Sequence, residues 1–163
     1  MTKPFVLWLT GRPGAGKTTI ATALLSLLHR RSIDPELLDF DLFRKHFLAP
    51  GPLPEAERVR FYQGIVEVAA RFVDHDVPVI IDAPGNRRAY RDLARERIPD
   101  FAEIFVDCPA EVCADRAPGS YEAPGHPELI LHSAQEDPDS AARKIVTFLI
   151  DCGWIPSRKL YRV

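Results

Sequence analysis

The sequence predicts an α/β fold, a mainly parallel five-stranded sheet with helices on both faces, and two observations carry that prediction. Short apolar runs alternate with longer segments whose apolar residues recur at helical spacing, as in repeated βαβ units. Most of the runs are continuously apolar rather than alternating, so their strands belong to a sheet covered on both sides.

Phe5 to Thr10, bounded by Pro4 and Gly11, is the first strand, and Lys17 to Arg30 places Ile20, Ala21, Leu24, Leu25 and Leu28 on one helical face. Asp34-Pro35 introduces a short strand, Glu36-Leu37-Leu38, which runs through Asp39-Phe40-Asp41 into a short helix ending near Phe47. The proline-rich segment 50–54 cannot continue a helix. Beyond it, Val59, Tyr62, Ile65, Val66, Ala69, Phe72 and Val73 trace the longest helix. Pro78 to Asp82 is the third strand, followed by a turn at Pro84-Gly85-Asn86 and an arginine-rich helix over 87–97. Ala102 to Asp107 is the fourth, with a short helix expected over 110–116 and an irregular proline- and glycine-rich loop over 117–128. Leu129 to His132 is the fifth, and Pro138 to Cys152 a closing helix. Residues 154–163 read as a tail docked by Trp154 and Tyr161. No repeat or second domain is visible, so residues 1–163 are expected to form one domain.

Composition excludes several classes. With 46% hydrophobic and 27% charged residues, the chain is neither disordered nor fibrous. A net charge of −2 recruits neither nucleic acid nor an anionic membrane. No run approaches the roughly 20 apolar residues of a spanning helix, and Phe5 to Leu9 is too short for a secretory core, so a cytoplasmic location is expected. Cys108, Cys113 and Cys152 are odd in number and form no C-x-x-C pair; all three are expected to be buried, reduced thiols. His126 and His132 have no partner at metal-ligand spacing.

The chemistry is carried by Gly11-Arg12-Pro13-Gly14-Ala15-Gly16-Lys17-Thr18. This matches the phosphate loop in full and sits where such a loop must, between a strand and a helix. Its amides and the helix N-terminus, including Thr19, suit the phosphates of ATP; Lys17 suits the β and γ oxygens, and Thr18 suits Mg²⁺. Asp39 and Asp41, two apart at the end of the second strand, project the same way. One carboxylate is expected to hold the metal and the other to orient or deprotonate an acceptor hydroxyl, with helix capping by Asp41 as the alternative. Asp82 ends the third strand, as a metal-binding carboxylate would, though a turn aspartate has the same look. Arg44, Arg58, Arg87, Arg88, Arg91 and Arg95 fall in segments expected to border the cleft and suit an anionic acceptor, whereas Arg12 is expected to project outward. Residues 117–128 lie where a lid would close, with Arg116 at its base for the γ-phosphate; a plain surface connection is the alternative.

These residues resemble the adenylyl-sulfate (APS) kinases. The likeness runs from Trp8-Leu9-Thr10-Gly11 through Gly14 to Ala21, Leu38-Asp39-Phe40-Asp41 with Arg44, Glu67-Val68-Ala69, Arg91-Asp92 with Arg95, Phe101 to Cys113, and Pro127-Glu128-Leu129. It implies a P-loop nucleotide-kinase-like fold and transfer of the γ-phosphate of ATP to the 3′-hydroxyl of a nucleotide. Asp41 would be the acceptor-side carboxylate, and Arg44 and Arg58 would contact the acceptor's anionic group, with Asn86 nearby. The chain departs from the family at Phe40, where glycine is usual, at Phe61, where asparagine is usual, at the Pro84-Gly85-Asn86 turn, and in the shortness of segment 117–126. Three functions remain at this point: APS kinase, a related kinase of another nucleotide conjugate or small hydroxylated metabolite, and a nucleotide-binding regulatory module. The lack of an Asn-Lys-x-Asp guanine signature and the paired aspartates speak against the third. The expected partner is a small nucleotide-like or anionic acceptor, and a homodimer is left open.

Overall fold

The computed structural model describes residues 1–115 and 118–157. Strands β1 (Val6–Thr10), β2 (Glu36–Asp39), β3 (Val79–Asp82), β4 (Phe101–Asp107) and β5 (Leu129–His132) form one sheet in the order β2-β3-β1-β4-β5, and every pairing is parallel. The helices are α1 (Lys17–His29), α2 (Phe40–Phe47), α3 (Glu55–Asp74), α4 (Arg88–Arg97) and α5 (Pro138–Asp151). All five strands and five long helical segments of the sequence reading are present, within a residue or two at their ends.

Successive side chains of a strand face opposite ways, and β1 divides the core accordingly. Leu7 and Leu9 join Ile20, Leu24 and Leu28 of α1 and Ile145 and Leu149 of α5. Val6 and Trp8 join Tyr62, Ile65 and Ala69 of α3 and Tyr90 and Ala94 of α4. The result is three layers. The central strand is covered on both faces, and its carboxyl end lies where connections leave toward opposite halves of the sheet, the place where ligands bind in such folds.

Two expectations change and a third holds for its described half. The helix expected over 110–116 is a tight series of turns in residues 110–114: the amides of Val112 and Cys113 both bond to the Pro109 carbonyl, and that of Asp115 returns to Ala110. Ala114, at φ 54°, turns the chain left-handed and stops further winding; Arg116 lies outside the described residues. Of the three free thiols only Cys108 is buried, Cys113 being half-buried and Cys152 exposed, because Cys152 falls on the C-cap of α5. Trp154 does dock the chain end, stacking on Phe5 at 5.7 Å and accepting the Lys3 amide at its carbonyl, whereas Tyr161 lies outside the described residues.

Candidate active site

The loop between β1 and α1 is held in a shape few residues allow. Gly14 has φ +77°, and a Cβ there would run into the Cys113 carbonyl. Gly16, at φ 97°, is the N-cap of α1, so the helix begins with free amides aimed into the loop. Lys17, 7% exposed, donates from Nζ to the carbonyls of Gly11 and Arg12, each at 2.9 Å. Burial lowers its pKa, with the charges of Asp82 and Asp41 acting the other way. A buried cation resting on carbonyl dipoles is short of negative charge, which a polyphosphate supplies.

Thr18 donates from Oγ1 to Asp82 Oδ2 at 2.7 Å. Asp82 ends β3, in register with Asp39 at the end of β2, so sheet geometry sets two carboxylates side by side next to the loop. Burial pushes the Asp82 carboxyl above its ordinary range, against the pull of the Thr18 hydrogen bond and the Lys17 charge. Asp39 accepts the amides of Asp41 (2.9 Å) and Leu42 (3.2 Å). The capping role, the alternative for Asp41, therefore belongs to Asp39, because the helix starts two residues earlier, at Phe40.

A cleft of about 550 Å³ gathers these groups. Lys17, Thr18 and Asp82 form one wall and Phe40, Asp41 and Arg44 the other. Gly14, Gly16 and Thr19 also border a second hollow of about 270 Å³, with Ala15 on the loop side and Cys108, Val112 and Ser133 opposite. The loop thus borders two cavities. Phe40 packs edge-on against Phe61 (5.3 Å) and stacks on Tyr62 (5.4 Å), so the departures from the family pattern at 40 and 61 form one aromatic wall.

The other arginines are mostly committed elsewhere. Arg44 borders the cleft, with Nη2 on the Gly51 carbonyl at 2.5 Å. Arg58 donates to the Leu53 carbonyl (3.2 Å) and pairs with Glu55 (3.6 Å), and Asn86 Nδ2 donates to the Ser120 carbonyl at 3.0 Å; neither lines the cleft. Arg12 does not project outward: it pairs with Asp115 at 3.2 Å and lies over the Tyr121 ring. Arg87 pairs with Glu55 and Glu122, Arg88 donates to the Ala123 carbonyl, and Arg95 pairs with Glu103 and Glu128. Arg91 is wholly buried and paired with Glu103 at 3.0 Å. The sequence reading missed this network, although Glu103 inside an apolar strand was its visible sign, since a charge there requires a partner.

Residues 3–130 match the family model described as adenylylsulphate kinase. The chain belongs to the adenylylsulphate kinase family. It is 32% identical to the adenylyl-sulfate kinase of Shewanella amazonensis, the match covering 93% of this chain and 87% of that one. It is 38% identical to the bifunctional enzyme NodQ of Rhizobium sp. (strain BR816) over 90% of this chain; the chain spans about a quarter of NodQ's length, 26%. The fold superposes on the Mycobacterium tuberculosis APS kinase CysC, solved with AMPPNP and APS, with TM-score 0.81 and 25% identity, covering 92% of this chain and 99% of that one. Among the described residues no helix is long and apolar enough to cross a membrane.

Proposed function

We propose that this chain transfers the γ-phosphate of ATP to the 3′-hydroxyl of adenylyl sulfate. The observation that carries the reading is the convergence of Lys17, Thr18, Asp82, Asp41 and Arg44 on one cleft beside the phosphate loop, in a chain of this family. In that reading, the amides at Gly14 to Thr19 cradle the phosphates, and Lys17 leaves its carbonyl partners to neutralise the β and γ oxygens. Asp41 accepts the proton of the 3′-hydroxyl as its oxygen bonds to the γ-phosphorus, while the bond from that phosphorus to the β–γ bridging oxygen breaks and ADP leaves. Arg44 faces the anionic phosphosulfate, and Phe40 provides an apolar wall for the acceptor.

Among the described residues no group of three or more His, Cys, Asp or Glu gathers to hold a metal, but a nucleotide-borne Mg²⁺ needs only one or two protein oxygens. Thr18 and Asp82, hard oxygen donors already 2.7 Å apart, fit it, with Asp39 alongside. Bound there, Mg²⁺ supplies charge neutralisation on the phosphates.

The test is ADP release from ATP with APS, with 3′-deoxy-APS and with no acceptor. The reading expects turnover with APS alone; equal ADP release in all three rejects it.

A further inference from the structure

Thr10 is the last residue of β1 and directly precedes Gly11. Its Oγ1 lies 2.6 Å from the Pro84 carbonyl, 2.9 Å from the Tyr121 hydroxyl and 2.9 Å from Arg91 Nη1. A threonine has one proton to give, and only the carbonyl must receive it. The Tyr121 hydroxyl therefore donates to Thr10, and Arg91 Nη1 donates to Thr10 and to the Gly85 carbonyl (3.0 Å), sharing a proton with the Tyr121 hydroxyl at the longer distance of 3.3 Å. All hydrogen-bonding capacity of Thr10 is used, in a place no water reaches.

Tyr121 also grips the next part of the loop. Its ring meets two guanidinium groups, that of Arg12 at 5.7 Å and that of Arg91 at 5.6 Å, and stacks on Phe105 of β4 at 6.2 Å. The carbonyls of Gly11 and Arg12 hold Lys17, so one tyrosine contacts the residues on both sides of Gly11. Tyr121 is itself held in place. The Glu122 amide bonds to the Asn86 carbonyl (2.7 Å) and Arg91 Nη2 to the Glu122 carbonyl (2.6 Å).

We infer that Tyr121 is a positioning residue for nucleotide binding, acting through the Thr10 hydroxyl to hold the base of the phosphate loop in its binding shape. It lines neither of the two cavities beside the loop, and its effect reaches the nucleotide through the loop. The inference rests on the phosphate loop binding ATP but not on the identity of the acceptor.

The test is binding of AMPPNP with Mg²⁺ to the whole chain, by calorimetry, for the wild type, Tyr121→Phe, Thr10→Val and the double variant, with a thermal melt of each. Tyr121→Phe keeps the ring beside the two arginines and removes only the hydroxyl. It is expected to weaken AMPPNP about three- to tenfold, the loss of one neutral hydrogen bond. The double variant is expected to bind as Thr10→Val does, because the hydroxyl's link to the base of the loop is then already broken. Wild-type affinity in Tyr121→Phe overturns the inference, and so does strict additivity of the two losses. If Thr10→Val does not fold, the single variant decides: weakened binding with an unchanged melting temperature supports a positioning role, and weakening only in step with the melt overturns it. Failure of APS to serve as acceptor leaves all these outcomes readable.

Discussion

At the level of single residues, the site contains groups held at a cost that ligands relieve. Asp82 is the plainest. Its folded-state pKa is raised, burial being the main cause, so the fold favours its protonated form. The associated stability is present below the ordinary carboxylate range and lost as pH rises through the folded-state value. Above that value the charge weighs against the fold. Asp82→Asn, which keeps an oxygen for Thr18, is therefore expected to raise the melting temperature of the metal-free protein at pH 7 by a few degrees, about 1 kcal/mol, while lowering turnover steeply. A lower melting temperature contradicts this account of Asp82. Lys17→Ala is expected to abolish transfer and leave the fold intact, since it removes the charge clamp on the transferred group; near-wild-type turnover contradicts the assigned role. The glycines, Lys17 and Thr18 were readable from sequence because each meets a fixed demand of backbone or phosphate. The commitments of Asn86, Arg88 and Arg95 were not, because their partners lie 33 to 35 residues away and spacing along the chain does not reveal them.

At the level of elements, the acceptor wall depends on how α2 starts. Asp39 accepts two amides there and so sets the direction in which Asp41 and Arg44 leave the helix. Asp39→Ala is expected to cost about 1 kcal/mol of stability, and Asp39→Asn much less, because asparagine caps equally well. If Asp39 also serves the metal, as its register with Asp82 suggests, Asp39→Asn raises the Mg²⁺ concentration needed for half-maximal rate without changing the melting temperature. The sequence showed every strand and long helix, because buried parallel strands and amphipathic helices have distinct periods. It misplaced the 110–116 segment. Apolar residues near helical spacing suggested winding there, but the return of the Asp115 amide to Ala110 closes the chain into a turn on whose Cys113 carbonyl Gly14 rests. Gly14→Ala is accordingly expected to weaken nucleotide binding tenfold or more, roughly 1–3 kcal/mol of backbone strain and displacement, measured by AMPPNP titration.

Across the whole molecule, ion pairs tie α4 to β4 and to the residue that leads into β5. Arg91 on α4 meets Glu103 on β4, and Arg95 meets both Glu103 and Glu128. Burial pushes the Glu128 carboxyl up, but Arg95 and the Glu103 amide outweigh it, so its pKa is lowered in the fold. That stability is present above the ordinary carboxylate value and lost as pH falls through the folded-state one. Glu128→Gln is expected to be less stable than the wild type at pH 7 and to converge on it in acid, as followed by denaturant unfolding across pH; a constant difference at all pH values contradicts it. These pairs hold in place the segment that bears Tyr121, and so the donor side of the site. Phe40, packed on Phe61, lines the cleft, and which acceptor that wall admits is the central question. The most direct measurement follows the label from γ-³²P-ATP with APS present. The account predicts label in a 3′-phosphorylated APS product, formed at the rate of ADP release, and ADP formation without labelled APS would contradict it.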